Sequence, residues 1–318
     1  MLNLRLQYLS MTDWKVIISS RSGGGKAGQI WCKVAESLKK KGISFSEAFT
    51  EYQSHAIELA KQAIRDGYRK ILAVGGDGAV HEILNGIMGQ TEVPSTEVTL
   101  AIVPVGSGND WARLHKIPHD LEKAADVIAA GRTVVQDIVQ VETINGGNPF
   151  KRFMLNIGGF GFDAQVCHLF EQAKKKGRYG DAQYLKCLIK GFLFYKCPSF
   201  DIKIDGKPFF SGKALSVAIG NGKYCGGGMM QTPAAVCDDG LMDITVVRQL
   251  WKLKFISKVK CLYDGSIYDI DEVSAGRGKK FEIKAAPATF VEADGEAVGI
   301  TPATLTIIPG AINVITNR

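Results

Sequence analysis

The sequence predicts two domains of different class: an N-terminal α/β domain with a doubly wound parallel sheet, followed by a mainly β domain that is sandwich-like or barrel-like. Between residues 14 and 131, short apolar runs alternate with segments of helical periodicity, which is typical of a parallel sheet covered by helices. From 132 to 318 the sequence changes to closely spaced strand-like runs separated by turn residues. We therefore place the boundary near residue 132, with residues 1–13 as a leader of no fixed role.

Length, charge and cysteine content restrict the class of protein. The 318 residues allow two domains that each bury a core, and 46% hydrophobic with 22% charged residues is typical of a globular chain. A net charge of +7 suits anionic small molecules or an anionic membrane surface, but no basic stripe interleaved with aromatic residues indicates nucleic-acid binding. The seven cysteines have no metal-ligand spacing, which indicates reduced thiols in a cytoplasmic protein. No signal-peptide core and no run of about 20 apolar residues is present, so we expect no membrane span.

In the first domain, strands and helices alternate along the chain. The buried run at 71–74 is continuously apolar, as expected of a strand covered on both faces. The segment after it carries apolar residues at helical spacing up to residue 88. The predicted strands are 14–19, 43–49, 71–74 and 99–104, and the predicted helices are 30–40, 56–66, 80–88, a short one from 111, and 121–130.

Three of the predicted strand-to-helix connections are rich in glycine: 22–28, 75–79 and 106–110. In open α/β sheets ligands bind at this edge, and loop amides beside a helix N-terminus favour phosphate. Asp77 has the wrong charge for phosphate unless a cation or the donors of a nucleotide sugar lie between. Asp110 starts a helix, where capping alone is the simpler interpretation. Three such loops together favour a phosphate or nucleotide site over three unrelated turns.

The first loop adds a lysine point charge to a concave set of amides, formed by Gly23, Gly24, Gly25 and Lys26. Together with Gly28 it matches G-x-G-x-x-G, a weak dinucleotide signal whose alternative is a flexible glycine loop. Ala27 stands where a P-loop requires Ser or Thr. A dinucleotide-binding oxidoreductase therefore stays open, with Glu47 or Glu51 as its ribose-binding acid.

The second half of the chain is predicted to be mostly strands, with a helix from about residue 164. Asp205-Gly206 is a strong hairpin signal. The predicted strands are 134–143, 152–157, 202–204, 208–210, 215–219, 242–247, 281–285, 290–293, 305–308 and 312–315.

Two further stretches of the second half carry chemistry. Asp294-Gly295-Glu296 suits a tight turn with both carboxylates exposed, and its alternative is a solvated hairpin tip. The segment 174–200 is basic, aromatic and amphipathic. Such a segment can rest on an anionic bilayer, and its alternative is a domain helix with a solvated lysine face.

The motifs together resemble the soluble bacterial lipid kinases related to diacylglycerol and sphingosine kinases. The resemblance covers nearly the whole chain from residue 14, and its motifs occur in the family's order. Gly75-Gly76-Asp77-Gly78 alone is shared with NAD kinases and phosphofructokinases, whereas the full set is specific. The matching segments are 75–78, 106–113, 161–164, 238–241 and 294–296.

The resemblance implies a two-domain architecture like that of NAD and diacylglycerol kinases, with the site in the cleft between the domains. It implies ATP, Mg²⁺ and transfer of the γ-phosphoryl group to the hydroxyl of a diacylglycerol-like lipid, during transient contact with a membrane surface. Besides the first loop, the residues that it assigns to the nucleotide are Thr50, Gly75, Gly76, Asp77, Gly78, Ala79, Val80, His81, Gly106, Ser107, Asn109 and Asp110.

The resemblance also assigns roles to acidic residues. Asp294 or Glu296 would accept the proton of the lipid alcohol, and a carboxylate in that role contributes typically ~10²–10⁴-fold. Asp77, Asp110 and Asp137 resemble acids that organise metal and water. A separate structural Mg²⁺ would be held by the Asp239 carboxylate and the backbone carbonyls of Val236 and Leu241.

The sequence departs from the family pattern at four places, which bear on nucleotide affinity or preference. The family has Asn-Pro at 19–20, Thr at 79, Asn at 81 and Thr at 107, where this chain has Ser-Ser, Ala, His and Ser. Two alternatives follow: a nucleotide kinase of the NAD-kinase type, and a catalytically silent lipid- or nucleotide-binding regulator. The sequence leaves open which lipid is the acceptor and whether the chain forms a homodimer.

Overall fold

The computed structural model describes residues 14–20, 26–177, 181–250, 254 and 257–318. The chain divides into two compact units: unit 1 comprises 1–136 with 310–318, and unit 2 comprises 137–309. The sequence analysis assigns 310–318 to the second domain, whereas here they belong to unit 1. They do so because the strand at 313–314 pairs in parallel with the strand at 99–100 of unit 1.

Unit 1 contains the parallel sheet that the sequence predicts. Its strand order is β4-β3-β1-β2, with the end of β16 beside β4, and all of these pairs are parallel. The strands are β1 (Trp14–Ile18), β2 (Phe45–Phe49), β3 (Lys70–Gly75) and β4 (Thr99–Pro104), and β16 (Glu296–Ile315) enters from unit 2.

Helices connect these strands and bury one face each. On α3 the predicted apolar stripe is buried, with Val80, Ile83, Leu84 and Ile87 at 0% exposure. The first helix begins at Lys26, one turn earlier than predicted. The helices are α1 (Lys26–Lys40), α2 (His55–Arg65), α3 (Asp77–Met88), α4 (Asp110–Leu114) and α5 (Leu121–Ala130), with a 3₁₀ turn at Ser95–Glu97.

Unit 2 is mainly β, as predicted, with two longer helices, α6 (Phe162–Lys175) and α7 (Asp181–Phe194), and a short α8 (Cys261–Asp264). A 3₁₀ turn covers Ser266–Asp269. The strands before β16 are β5 (Thr133–Asn145, which enters from unit 1), β6 (Asn148–Met154), β7 (Ile157–Gly161), β8 (Ser199–Ile204), β9 (Lys207–Gly220), β10 (Tyr224–Cys225), β11 (Met229–Met230), β12 (Met242–Arg248), β13 (Val273–Gly278), β14 (Lys280–Ala286) and β15 (Phe290–Ala293).

The antiparallel pairings of unit 2 close a ring in the order β9-β7-β15-β16-β14-β8 and back to β9. Strands β12 and β13 extend the sheet beyond β9. Fully buried aliphatic and aromatic side chains such as Phe160, Phe200 and Phe281 form its core. The expectation of a sandwich-like or barrel-like domain is therefore confirmed.

Several strand predictions for unit 2 need correction. The glycine-rich stretch 158–161, which is left without a strand between the predicted strand 152–157 and the helix from 164, is the inner strand β7, whose residues are all buried. The predicted strands 305–308 and 312–315 are parts of the single strand β16. Strand β13 and the small β10–β11 hairpin are not anticipated from the sequence.

Part of the basic segment 174–200 lies outside the described residues, at 178–180, and several of its side chains are not described. Where it is described, Lys186 and Lys190 are exposed and Ile189 is 51% exposed. None of the helices in the described part of the chain is long and apolar enough to cross a membrane.

Gly86 allows α3 to pack closely on α2. A Cβ atom at this position would lie 2.6 Å from both the Cβ of Ala60 and the carbonyl oxygen of Ile57. These neighbours are backbone or buried atoms that cannot easily move. The close packing fixes the position of α3, whose first residues belong to the loop 75–79.

We expect Gly86→Ala to lower the free energy of unfolding by about 1–3 kcal/mol, because the added methyl group overpacks the contact with α2. Chemical denaturation measures this value. The matched control is Gly28→Ala in α1, where a Cβ meets nothing within 4 Å. Its expected effect is neutral or stabilising by up to about 1 kcal/mol. Equal effects of the two substitutions would contradict the packing argument.

Candidate active site

In unit 1, the loops 75–79 and 106–110 touch through their backbones. They follow the neighbouring strands β3 and β4, and Val105 N donates to Gly75 O at 2.8 Å. A Cβ on Gly106 would lie 2.7 Å from Gly76 Cα, and a Cβ on Gly76 would lie 3.0 Å from Gly106 Cα. Only glycine permits this approach, so the two loops lie in direct backbone contact, with Gly76 buried and Ser107 exposed.

Asn109 holds the second of these loops in shape. Its backbone is left-handed, with φ of 50°, and its side chain is fully buried. The side-chain oxygen accepts from Gly106 N at 2.9 Å, and the side-chain nitrogen donates to Gly106 O at 2.7 Å. The Asn109 side chain therefore organises the loop from inside and is not presented to a ligand.

Asp77 joins the two loops through a helix cap. Its Oδ1 accepts from Trp111 N at 2.9 Å, although Asp77 itself is the first residue of α3. The simple interpretation from the sequence makes Asp110 the cap of α4. Asp110 is instead the first residue of that helix, and its carboxylate lies 3.7 Å from Arg113 Nε. The carboxylate of Asp77 thus stabilises the N-terminus of α4, which explains an acid beside a candidate phosphate site.

The remaining residues assigned to the nucleotide differ in whether their side chains are accessible to a ligand. Ala79, Val80 and His81 are buried, and the His81 ring contacts the side chain of Asn85, so these residues face the interior. The departure from the family pattern at 81 therefore replaces an inward-facing side chain. Ser107 is exposed and has a hydroxyl for a ligand.

Thr50 joins the ends of β1 and β2. Its Oγ1 accepts from Ser20 N at 3.1 Å, and Ser20 Oγ donates to Thr50 O at 2.7 Å. Ser19 N donates to Val74 O at 3.0 Å, which ties the same chain end to β3. The glycines of the first loop, Gly23, Gly24 and Gly25, lie outside the described residues, as does the side chain of Lys26.

In unit 2, the Asp294-Gly295 turn joins β15 to β16. Both residues have positive φ, 51° and 83°, which is the geometry of a type I′ hairpin and explains Asp-Gly at this position. The Asp294 carboxylate accepts from the amides of Leu155 and Asn156, each at 2.9 Å. Asp294 and Glu296 are half-buried, so the expectation that both carboxylates are exposed is wrong. Asp294 binds the chain before β7, and Glu296 is the better candidate for a base.

Sequence reasoning missed the buried acid Glu292, which is 6% exposed. Its Oε2 accepts from Gly295 N at 2.8 Å. The pKa of Glu292 is raised to about 8, mainly by burial and also by the carboxylates of Asp163, Asp294 and Glu296, while the hydrogen bond from Gly295 opposes the rise. The signal that could have identified Glu292 is its position two residues before Asp294, because strand alternation places residues 292 and 294 on the same face.

Asp163, part of the matched segment 161–164, is a second buried acid of unit 2. Burial raises the pKa of Asp163, while hydrogen bonds from Ser216 and Gln231 oppose that rise. Gln231 Nε2 donates to Asp163 Oδ2 at 3.0 Å. The carboxylate of Asp163 therefore connects α6 to β9 and to the turn after β11.

The residues expected to hold a structural Mg²⁺ are engaged in other interactions. Asp239 Oδ1 accepts from Leu241 N at 3.1 Å, and its Oδ2 pairs with Arg277. The Arg277 guanidinium also reaches Asp243 Oδ2, at 3.1 Å. Asp137 Oδ2 accepts from Gly240 N at 2.7 Å, and Val236 is 40% exposed. An arginine thus neutralises this turn, and these residues do not fit the expected magnesium site.

No group of three or more His, Cys, Asp or Glu with metal-binding geometry occurs in the part of the chain that the structure describes. The acids of both units instead accept backbone amides. A further example, which sequence reasoning missed, is Glu82, whose two oxygens accept from Ser54 N at 2.9 Å and Ala56 N at 3.2 Å. Glu82 therefore stabilises the first turn of α2.

Comparison with known proteins assigns the family. Residues 13–141 match the family described as "Diacylglycerol kinase catalytic domain". Residues 157–316, half of the chain, match "YegS C-terminal NAD kinase beta sandwich-like domain". The chain belongs to the YegS-like diacylglycerol kinase family. The resemblance drawn from the sequence motifs is thus confirmed.

Individual members of the YegS-like diacylglycerol kinase family align over most of their length. A "Diacylglycerol kinase" of Mycobacterium tuberculosis is 27% identical over 298 residues, 93% of each chain. A Pseudomonas syringae pv. tomato protein named "Probable lipid kinase YegS-like" is 28% identical over 277 residues, 87% of this chain and 85% of that one. The crystal structure of a diacylglycerol kinase from Bacillus anthracis str. Sterne is 21% identical, with a TM-score of 0.71 over 96% of this chain and 97% of that one. The structural likeness shows a shared fold.

Chelation by EDTA is expected to leave the thermal unfolding midpoint unchanged, because Arg277 already neutralises Asp239. Arg277→Met should lower the free energy of unfolding by about 1–2 kcal/mol, less than for a fully buried pair, since this arginine side chain is 42% exposed. The control Lys280→Met removes an exposed pair with Glu282 and should change it by less than about 0.5 kcal/mol. A midpoint several degrees lower in EDTA would contradict the arginine assignment.

Proposed function

We propose that this protein is an ATP-dependent lipid kinase that transfers the γ-phosphoryl group to the hydroxyl of a diacylglycerol-like lipid. The observation that carries the proposal is the backbone contact between Gly76 and Gly106, which places two amide-rich loops together at the carboxyl edge of the parallel sheet. The names of the curated relatives, diacylglycerol kinase and lipid kinase, support the acceptor class.

The edge formed by the two loops suits the phosphates of a nucleotide. The amides at the N-terminus of α3, those of residues 107–108 and the exposed hydroxyl of Ser107 are the donors that this edge offers to anionic oxygens. Phosphoryl transfer depends mainly on such positioning and on charge neutralisation. A magnesium ion bound with the nucleotide would neutralise phosphate charge, and the carboxylates that these loops offer it are Asp77 and Asp110.

The proposed base is Glu296. The Asp294 carboxylate accepts two backbone amides and holds the turn, whereas Glu296 starts β16 directly after that turn. A carboxylate placed on a rigid hairpin can accept the proton of the lipid alcohol as the phosphoryl group is transferred. Rigid placement matters because misplacement of a catalytic group by about 1 Å can lower a rate by about 10²-fold.

The proposed acceptor is a membrane lipid that the protein reaches by peripheral contact. The described part of α7 exposes Lys186 and Lys190 beside Ile189, and the net charge is +7. Cationic and apolar side chains on one helix are features that favour an anionic bilayer surface. Incubation with labelled ATP and Mg²⁺ against a total lipid extract, resolved by thin-layer chromatography, tests the acceptor class.

A second candidate function is a nucleotide kinase of the NAD-kinase type. The description of the second matched domain as NAD kinase beta sandwich-like favours it. Labelled phosphate on NAD with none on extracted lipid would select this alternative. Binding of ATP or lipid without any transfer would select the silent regulator, and neither outcome is expected from the proposal.

We expect Glu296→Gln to lower kcat by ~10²–10⁴-fold in a chain that still folds, because glutamine has nearly the same size and shape but cannot accept the proton. Asp294→Asn should instead destabilise the protein by about 1–3 kcal/mol, since an amide cannot accept from both Leu155 N and Asn156 N. Steady-state kinetics and chemical denaturation separate the two roles. A Glu296→Gln enzyme with kcat within tenfold of wild type would refute the base.

Ser107→Ala should raise the dissociation constant for ATP by about 5–10-fold, the effect of one hydrogen bond of about 1–1.5 kcal/mol. Isothermal titration calorimetry measures this value. Ser107→Thr keeps the hydroxyl and is the matched control, with an expected change below twofold. If alanine and threonine weaken binding equally, the hydroxyl does not contact the nucleotide.

A further inference from the structure

The carboxyl group of Glu292 lies inside unit 2, against the turn that carries the proposed base. It projects from β15 and is 6% exposed. Its cross-strand neighbour on β7 is Gly159, where a Cβ would lie 2.5 Å from Glu292 Oε1. A glycine on the central strand therefore provides the space that the buried carboxyl group fills.

This carboxyl group and one other fix the backbone on both sides of Glu296. Glu292 Oε2 accepts from Gly295 N at 2.8 Å. Glu171 Oε1, from α6, accepts from Ala297 N at 3.0 Å. Asp294 N donates to Ile157 O at 2.9 Å, which ties the turn to β7. The amides before and after Glu296 thus each have a side-chain carboxyl partner, and the one before it depends on Glu292.

Among the residues that the structure describes, the charged side chains that act on the pKa of Glu292 are all acidic. The carboxylates that act on it are Asp163 from α6, Asp294 from the turn and Glu296 from β16. Strand β7 presents only Ile157, glycines and Phe160, and His168 of α6 stacks on Phe290, with ring centroids 3.8 Å apart. Burial raises the pKa of Glu292 to about 8, so the group is neutral at pH 7 and accepts the Gly295 amide without adding a buried charge.

We infer that Glu292 is a positioning residue that holds Glu296 in place, and that it acts as an uncharged carboxylic acid. The inference rests on the proposed function for its effect on rate, but the ordering of the turn can be measured without it. Deprotonation would place a buried negative charge beside the acidic side chains of Asp163, Asp294 and Glu296, and the turn would loosen. Glutamine at 292 keeps the acceptor oxygen and cannot ionise, whereas alanine removes the acceptor.

The test compares wild type, Glu292→Gln and Glu292→Ala for kcat and KM against pH, with Glu282→Gln on β14 as the control for a strand glutamate outside the turn. Wild-type kcat should fall by about tenfold between pH 7 and 9, as expected for one group with a pKa of about 8. The glutamine variant should match wild type within twofold at pH 7 and lack this fall. The kcat of the alanine variant should be about 10–100-fold below that of Glu292→Gln at all pH values. The KM for ATP should not change.

Amide hydrogen exchange provides the second readout, which needs no activity. Above pH 8, protection of the peptide that contains 294–297 should fall in wild type relative to Glu292→Gln at the same pH. The free energy of unfolding should change in the same direction. The pKa of Glu292 in the folded state is raised from 4.5 to about 8. The contribution of Glu292 to stability is therefore fully present below pH 4.5 and is lost as the pH rises to about 8. The free energy of unfolding of wild type should therefore decline relative to Glu292→Gln over that range.

The outcomes are distinct. An alkaline loss of kcat that persists in Glu292→Gln, or a glutamine variant as impaired as alanine at pH 7, overturns the positioning role. Protection of 294–297 that does not differ between wild type and Glu292→Gln above pH 8 overturns the neutral-acid role. If wild type phosphorylates no lipid while the exchange result is as expected, the proposed function fails and the role of Glu292 in ordering the turn stands.

Discussion

Carboxylate side chains that accept backbone amides hold the loops of both units. Asp77 caps α4, Glu82 caps α2, and Asp294 accepts two amides from the chain before β7. A charged acceptor forms a stronger hydrogen bond than a neutral one, and such bonds are directional. Loops fixed in this way present backbone amides and the proposed base with little conformational freedom. Within unit 1, this role explains why the carboxylate of Asp77 lies beside the candidate phosphate site.

Much of the fold follows from the sequence, because the central strands β3 and β4 of unit 1 are mostly apolar and the helices between the strands are amphipathic. The errors have local physical causes. Strand β7 reads as a loop because glycine dominates it, yet Gly159 is needed there to leave room for the Glu292 side chain. Strand β16 reads as separate segments because Pro302 and Pro309 interrupt its apolar pattern. The hydrophobic pattern of a sequence indicates which residues are buried, but it does not indicate which residue lies opposite on the neighbouring strand.

The sequence motifs indicate which loops form the candidate site, but they do not show what each side chain contacts. The motif positions mark the turns that meet in unit 1 and the hairpin tip in unit 2. The sequence cannot show that the Asp77 and Asp294 carboxylates face amides, or that Arg277 pairs with Asp239. These choices depend on which loop lies opposite each side chain, which is a tertiary property. Glu292 was missed for the same reason, since a glutamate in a strand is usually solvent-exposed.

Strand β16 begins at the hairpin tip in unit 2 and ends beside β4 in unit 1. The polypeptide of unit 1 is therefore discontinuous, with 137–309 inserted between its two parts. During translation, the first 136 residues leave the ribosome with one edge of β4 still unpaired. Because synthesis proceeds at about 5–20 residues per second, residues 313–314 are made on the order of ten seconds or more later, and only then can they pair with this edge. Over this interval the unpaired edge of β4 is a template for pairing with another chain.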